Sequence, residues 1–515
     1  MIRRAIAVSF FILTLPQPGF PQDESAAVDW QMVASIREEG LQRSQLAATL
    51  SYMTDVLGAR YTLSRDMQRA QQWAVTEMKR IGLMNTAIEP FMDYGVSWDN
   101  EYFSLHMLQP DYQPMVGYPL ANTPGTNGVQ RVPVVIVDAQ TQQDLERYRG
   151  KLQGFGVLST PPATIDLTRF SRGVTRWTDE QLRELEELAP AETPRRSPTP
   201  RNPDVLSAVD QIAFFRSEGA VIVFESRSGW PGAVRGFARP GTKVDNWSRE
   251  GNLNSLPIVA VNPEHYNRMY RILERGIPVI IEVEIRNQIG DVVEQANNVL
   301  GDIPGSDLAD ELVMLGAHFD TWHASPNASD NTSGVAVMLE AVRILKAVGV
   351  EPRRTIRVAL WAGEEQGIFG SREYVRKHFG NPNDSEIGVT PAHENFSVYF
   401  NQDYGPGQYR GIYLQGNESA RRIFTAWSEP FHDLGMTTVS PRGVGSTDHV
   451  PFDNAGLPAF QFLQDRVGGT GGHTNLDYFD TLPLDDLRKN AVIIASFVYH
   501  AAMSNERIPR KPVAR

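Results

Sequence analysis

The sequence predicts an α/β fold: an open, mostly parallel mixed sheet flanked by helices, with a β-rich domain inserted into it. Three observations carry this. "ELVMLGA" (311–317), a helix over 333–348 with one apolar face, and "TIRVALWA" (355–362) form a strand–helix–strand unit, which imposes parallel pairing and a right-handed crossover. The apolar runs "FSVYFNQ" (396–402) and "LPAFQFLQ" (457–464) and a closing helix over 484–502 extend that sheet. Ahead of it, 125–288 has a different texture, with short β-branched strands set among turn residues: "VPVVIVD" (132–138), "GVL" (156–158), "GAVIVFE" (219–225), "LPIVAVN" (256–262) and "IPVIIEVEI" (277–285).

Taken from the N-terminus, "MIRR" followed by the apolar "AIAVSFFILTL" (5–15) and by Pro16, Pro18 and Pro21 reads as an export signal over 1–25. Its apolar stretch falls short of the roughly 20 residues a membrane span needs, and no later segment is apolar enough to span. The expected destination is periplasmic or extracellular. Helices are expected over 42–57 and 66–83. Met67, Ala70, Trp73, Ala74, Met78 and Ile81 stripe the second, and Gly82 is its C-terminal stop. These helices fall in 26–124, taken as the first part of the catalytic domain. Within 125–288, Thr178 and Gln181 are spaced to cap a helix, and the Pro-rich run 190–203 reads as a surface loop. The catalytic core is placed at 289–505, and 506–515 is a basic tail.

Composition narrows the chemistry. A net charge of −12 argues against nucleic acid or an anionic membrane as partner. The 515-residue chain has no cysteine, so disulfides, thiol nucleophiles and thiolate ligands are excluded together. Any zinc would be held by histidine and carboxylate. There is no G-x-S-x-G elbow to support a serine hydrolase.

An open sheet places its site at the C-terminal ends of its strands, and those ends carry the chemistry. The first core strand ends in His318 and Asp320, and the loop "SDNTSG" adds Asp330. The next strand runs into Glu364 and Glu365, the one after into Asp403, and "GGHTNLD" beyond the last brings His473. A lone Glu-Glu pair is usually solvated surface. Imidazoles and carboxylates at successive strand ends are what a divalent metal needs. The set exceeds one tetrahedral ion and suits a pair about 3.5–4 Å apart that shares a carboxylate. Strand alternation would send Glu364 and Glu365 to opposite sides, one to a metal and one free as general base.

"GAHFDTW" (316–322), "SDNTSG" (329–334), "GEEQGIFGS" (363–371), Asp403 and "GHTNLD" (472–477) together resemble the M28 zinc metallopeptidases, which include bacterial aminopeptidases and the carboxypeptidase Q group. The steps of twelve residues from His318 to Asp330 and thirty-four from Asp330 to Glu364 fit that family. The block 125–288 resembles a protease-associated (PA) domain, which would act as a lid or guide formation of a homodimer. The resemblance implies two Zn2+ per chain, with His318 and Glu365 on different ions, Asp403 and His473 completing the terminal ligands, and Asp330 bridging. It implies Glu364 as the general base that activates a water shared by the two ions, Asp320 as the orienter of His318, and a peptide substrate cut at one terminus. Asp448 and His449 in "STDHVPFDNAGLPAF" (446–460) are expected near substrate. Which terminus stays open: Asp448 and Glu373 suit an α-amine, Arg442 and Arg466 an α-carboxylate, with exported relatives of this kind leaning to aminopeptidase. Two further readings fit less well. A metal-free binding protein of this fold would have lost ligands that are all present here, and glutaminyl cyclases usually lack the insert.

Overall fold

The computed structural model describes residues 26–165, 176–189, 205–241, 245, 247–382, 386–467 and 472–511. The export-signal region and the Pro-rich run 190–203 lie outside them. Two eight-stranded sheets organise the chain.

In the catalytic sheet the strand order is Met84–Gly95, Glu294–Ile303, Arg354–Trp361, Leu308–His318, Phe396–Asn401, Ala459–Gln464, Tyr409–Tyr413 and Thr438–Ser440. The four from Arg354–Trp361 to Ala459–Gln464 are parallel, and antiparallel strands lie to either side. Helices cover the sheet, so its central strands are apolar throughout rather than alternating. The crossover helix Ser333–Ala347 is buried from Ser333 to Leu345, and Leu484–Met503 packs beside it. Both are therefore enclosed on nearly every side rather than on one face, with Glu340 and Arg343 of the first paired to each other within the core. At the surface Arg65–Ile81 is amphipathic, is capped by Ser64, and stops at Gly82, whose φ of +94° suits glycine.

Several strands escape sequence reading because polar side chains are buried with dedicated partners. In Glu294–Ile303, Asn298 accepts from the Ala362 amide and donates to the Gly370 carbonyl, and Asp302 takes a fork from Arg357 at 2.7 and 2.9 Å. The helix Trp30–Gln42 is likewise unforeseen, because only Val33, Ile36, Glu39 and Gly40 of it are buried. The tail is docked as far as Lys511. Ile508 is buried, and the Pro509 carbonyl accepts from the buried Asn417 side chain at 2.7 Å.

The second sheet runs Gln113–Pro114, Trp98–Gln109, Ile280–Ile289, Gln130–Ile136, Gly156–Leu158, Ile222–Glu225, Ile258–Val261 and Gly117–Pro119. It starts at Trp98, well before the expected boundary at 125, because Trp98–Gln109 pairs along its length with Ile280–Ile289. Its middle strands are parallel, with the helices Ala208–Ser217 and Arg249–Leu253 between them in sequence, so the insert is mixed α/β. The chain enters and leaves it side by side, where the Gly290 amide donates to the Ser97 carbonyl at 2.9 Å.

Strand Met84–Gly95 is fastened to helix Phe369–His378 by Glu89, 2.7 Å from His378 Nε2 and 2.8 Å from Lys377 Nζ. Burial disfavours the charged carboxylate, but these two partners prevail and bring its pKa down to about 2. A depressed folded-state pKa contributes stability above the unfolded value and loses it as pH falls through the folded one. Glu89→Gln is therefore expected to cost about 1 kcal/mol at pH 7 after solvent screening. The difference should vanish between about pH 4.5 and 2, as read by urea unfolding across pH.

Candidate metal centre

Four loops at the C-terminal ends of the parallel strands converge on a cavity of about 660 Å³. Asp330, Glu364, Glu365, Asp403 and His473 line it, with His318 buried beneath. Asp330 stands between the two imidazoles. Its Oδ1 is 3.2 Å from His318 Nε2, and its Oδ2 is 3.0 Å from His473 Nε2. Each ring has a further carboxylate: Asp403 Oδ1 at 3.7 Å from His318 Nε2, and Glu365 Oε2 at 2.9 Å from His473 Nε2. Ligand-type atoms of His318, Asp330 and Glu365 lie within 4.8 Å of one another, as do those of His318, Glu364 and Asp403.

Glu364 and Glu365 are not on a strand. Arg354–Trp361 has already ended, and Gly363, at φ +71°, turns the chain. What holds the pair is Asp320, whose carboxylate accepts both amides, Glu364 N at 3.1 Å and Glu365 N at 3.2 Å. His318 is oriented differently from the expectation: its Nδ1 bonds the main-chain carbonyl of Asp320 at 2.9 Å, and the carboxylate stands 3.9 Å away. One residue thus fixes a ring through its backbone and a turn through its side chain.

The loop bearing Asp330 is anchored from below. Asp477 accepts from the Ser329 amide and hydroxyl at 2.8 Å each and from the Asp330 amide at 3.2 Å. The fully buried Arg60 donates to the carbonyls of Phe319 and Gly58 and to Thr332 Oγ1. Arg60, Trp322, Trp230 and Tyr404 were not foreseen. Trp322 Nε1 donates to Glu365 Oε2 at 2.9 Å, and Trp230 and Tyr404 line the cavity. Trp322 closes the motif "GAHFDTW" without having been given a role there, Arg60, Trp230 and Tyr404 carry no motif signal, and Trp230 comes from the insert.

The electrostatics favour a cation. Burial resists charge on every group here, yet Asp403 and Asp330 lift the His318 pKa well above its ordinary value, and Asp330 and Glu365 take His473 up to about 10. The two imidazoles hold Asp330 far below the usual carboxylate range, while burial and the Asp330 charge push Glu365 up to about 7. Burial also raises Glu364 well above its usual value. Glu365 Oε1 is buried with no hydrogen-bond partner. An unpaired anionic oxygen beside crowded carboxylates and two imidazoles is a donor set that fits divalent metal.

Asp448 and His449 are fully buried and do not line the cavity. Asp448 accepts from Ser371 at 2.6 Å, and His449 Nε2 is 3.0 Å from the Val444 carbonyl. The segment meets the cavity through Ser446 instead. Glu373 is tied to Arg376, Arg466 lies over the Trp177 ring, and neither they nor Arg442 line the cavity.

The chain is similar to several known proteins. Residues 298–498 match the profile of peptidase family M28. Human carboxypeptidase Q is 23% identical over 466 residues, covering 90% of this chain and 86% of its own. Aminopeptidase YwaD of Bacillus subtilis is 27% identical over 209 residues, 38% of this chain and 42% of its own. Among solved structures, a peptidase M28 precursor from Shewanella amazonensis superposes with a TM-score of 0.66 at 21% identity, covering 94% of this chain and 99% of that one. A zinc aminopeptidase from Bacillus subtilis gives 0.53 at 18% identity, covering 90% and 95%.

Releasing the Asp330 loop should loosen the centre without unfolding it. Asp477→Ala is expected to weaken metal binding by roughly 10–100-fold, measured by titration calorimetry with circular dichroism as the check on folding. Unchanged affinity would show that Asp477 does not position the loop.

Proposed function

The chain is a metallopeptidase of family M28, and from that premise we propose that it is an exported di-zinc exopeptidase that removes N-terminal residues from peptides. The observation that carries the reading is Asp330, with one carboxylate oxygen toward each of two imidazoles. His318 and Asp403 would hold one zinc, Glu365 and His473 the other, with Asp330 shared between them. When bound, the pair acidifies water and polarises the scissile carbonyl.

The chain's own groups do the rest. Glu364 lines the cavity beside His318 and Asp403. It takes the proton of the attacking water and delivers it to the leaving amine. Asp320 keeps Glu364 and Glu365 in register. Trp230, Ile368, Tyr404 and Val467 offer apolar wall surface to the terminal side chain. Among the described residues no lysine or arginine lines the cavity to pair with an α-carboxylate. That absence supports the aminopeptidase reading. The export reading rests on residues 1–25; among the described residues no helix is long and apolar enough to cross a membrane. The insert is read as a PA-like domain.

A carboxypeptidase Q-like activity is the second reading, favoured by the near full-length likeness to human carboxypeptidase Q.

One tripeptide in three forms separates the two. With zinc-loaded protein, cleavage of the free and C-amidated forms but not the N-acetylated one is expected. The reverse pattern would establish the carboxypeptidase, and no cleavage of any form would count against both. Glu364→Gln should lower kcat by roughly 10²–10⁴-fold with zinc content unchanged.

A further inference from the structure

The loop that carries His473 is held from the insert. The Val234 amide donates to Asn475 Oδ1 at 2.6 Å, and the Asn475 amide returns a bond to the Val234 carbonyl at 3.1 Å. The Gly236 amide donates to the His473 carbonyl at 3.3 Å, so 234–236 and 473–475 form a short antiparallel bridge centred on Arg235 and Thr474. The approach is close: a methyl on Gly236 would meet Ala324 Cβ at 2.8 Å.

Side chains add a second layer. The Phe237 ring stands edge-on to His473, with centroids 5.4 Å apart, and edge-on to Trp322 at 5.2 Å. Trp322 is the residue that donates to Glu365. His473 itself sits at φ +60°, a left-handed backbone that is sterically unfavourable for a non-glycine residue. Such a conformation persists only where its surroundings over-determine it. The other half of the centre is held differently. His318 is oriented by the Asp320 carbonyl, and the Asp403 carbonyl accepts from Gln461, all within the catalytic domain.

Resting on the zinc-pair reading above, we propose that the insert completes the metal centre: residues 234–237 are positioning residues for His473 and, through Trp322, for Glu365. Zinc affinity on the His473–Glu365 side depends on the docked insert, and affinity on the His318–Asp403 side does not. The insert is then a condition for full metallation rather than only a cover over the cavity.

The test is zinc titration of the chelator-stripped full chain by calorimetry, with metal analysis after desalting, for wild type, Phe237→Ala and Phe237→Tyr. Circular dichroism and thermal unfolding are recorded for each. Wild type should take up two ions. Phe237→Ala should lose at least tenfold in affinity for one and keep the other, and Phe237→Tyr, which retains the ring, should restore the pair. A folded Phe237→Ala protein that binds both ions as tightly as wild type overturns the proposal. A wild type that retains one ion or none overturns the zinc-pair reading and this one with it. Hydrogen exchange on the wild type keeps the test independent of variant folding. Coupling is reciprocal, so filling the second site must slow exchange of the 234–237 amides, and unchanged exchange overturns the proposal.

Discussion

The shared carboxylate of Asp330 is the constraint around which the rest of the site is built. An aspartate wedged between two imidazoles, with three further acids close by, is a concentration of buried charge that no apolar packing could tolerate. It is tolerable only if every neighbour is fixed well enough for cationic and anionic groups to stay matched. Much of the surrounding structure supplies that fixing. Asp477 grips the loop from one side and Arg60 from another, and Asp320 holds the glutamate turn. None of these needs to touch substrate, yet each determines where a reacting group stands. The general lesson is that metal ligands are only as precise as the hydrogen bonds behind them.

That precision is inherited from the sheet. Parallel strands covered by buried helices end together at one edge, so their loops meet without long detours. The helices Ser333–Ala347 and Leu484–Met503 make this edge rigid because almost none of their surface is left to solvent. Chemistry that requires sub-ångström placement therefore sits on loops whose feet cannot move.

The parallel core and the imidazoles and carboxylates that converge at its strand ends were legible because both leave local traces. Apolar β-branched runs mark buried strands, and histidines are so few that His318 and His473 stand out among acids. What was illegible depends on contacts distant in sequence. The strand Glu294–Ile303 looks polar because Asn298 and Asp302 are satisfied by residues about sixty positions away. Trp98–Gln109 was assigned to the wrong domain because its partner, Ile280–Ile289, lies at the far end of the insert. Arg60 reads as a surface residue until the carbonyls it serves are brought to it. The Glu364–Glu365 pair was found, but its conformation was not, since a turn held by Asp320 and a strand end look alike in one dimension. Asp448 and His449 were expected near substrate from the resemblance of the segment 446–460, and both are buried and do not line the cavity.

The side-by-side passage of the chain at Ser97 and Gly290 has a consequence for how such a molecule could arise. A folded unit whose two ends are neighbours closes no large loop when it is spliced between two strands, so its entropic cost to the host is that of a short turn. The catalytic sheet can nucleate as though the intervening residues were a hairpin, and the added unit can fold on its own schedule. Ancestors with and without it could share one topology, and gaining it would require no rerouting of the strands whose ends bring His318, Asp330, Glu365, Asp403 and His473 together.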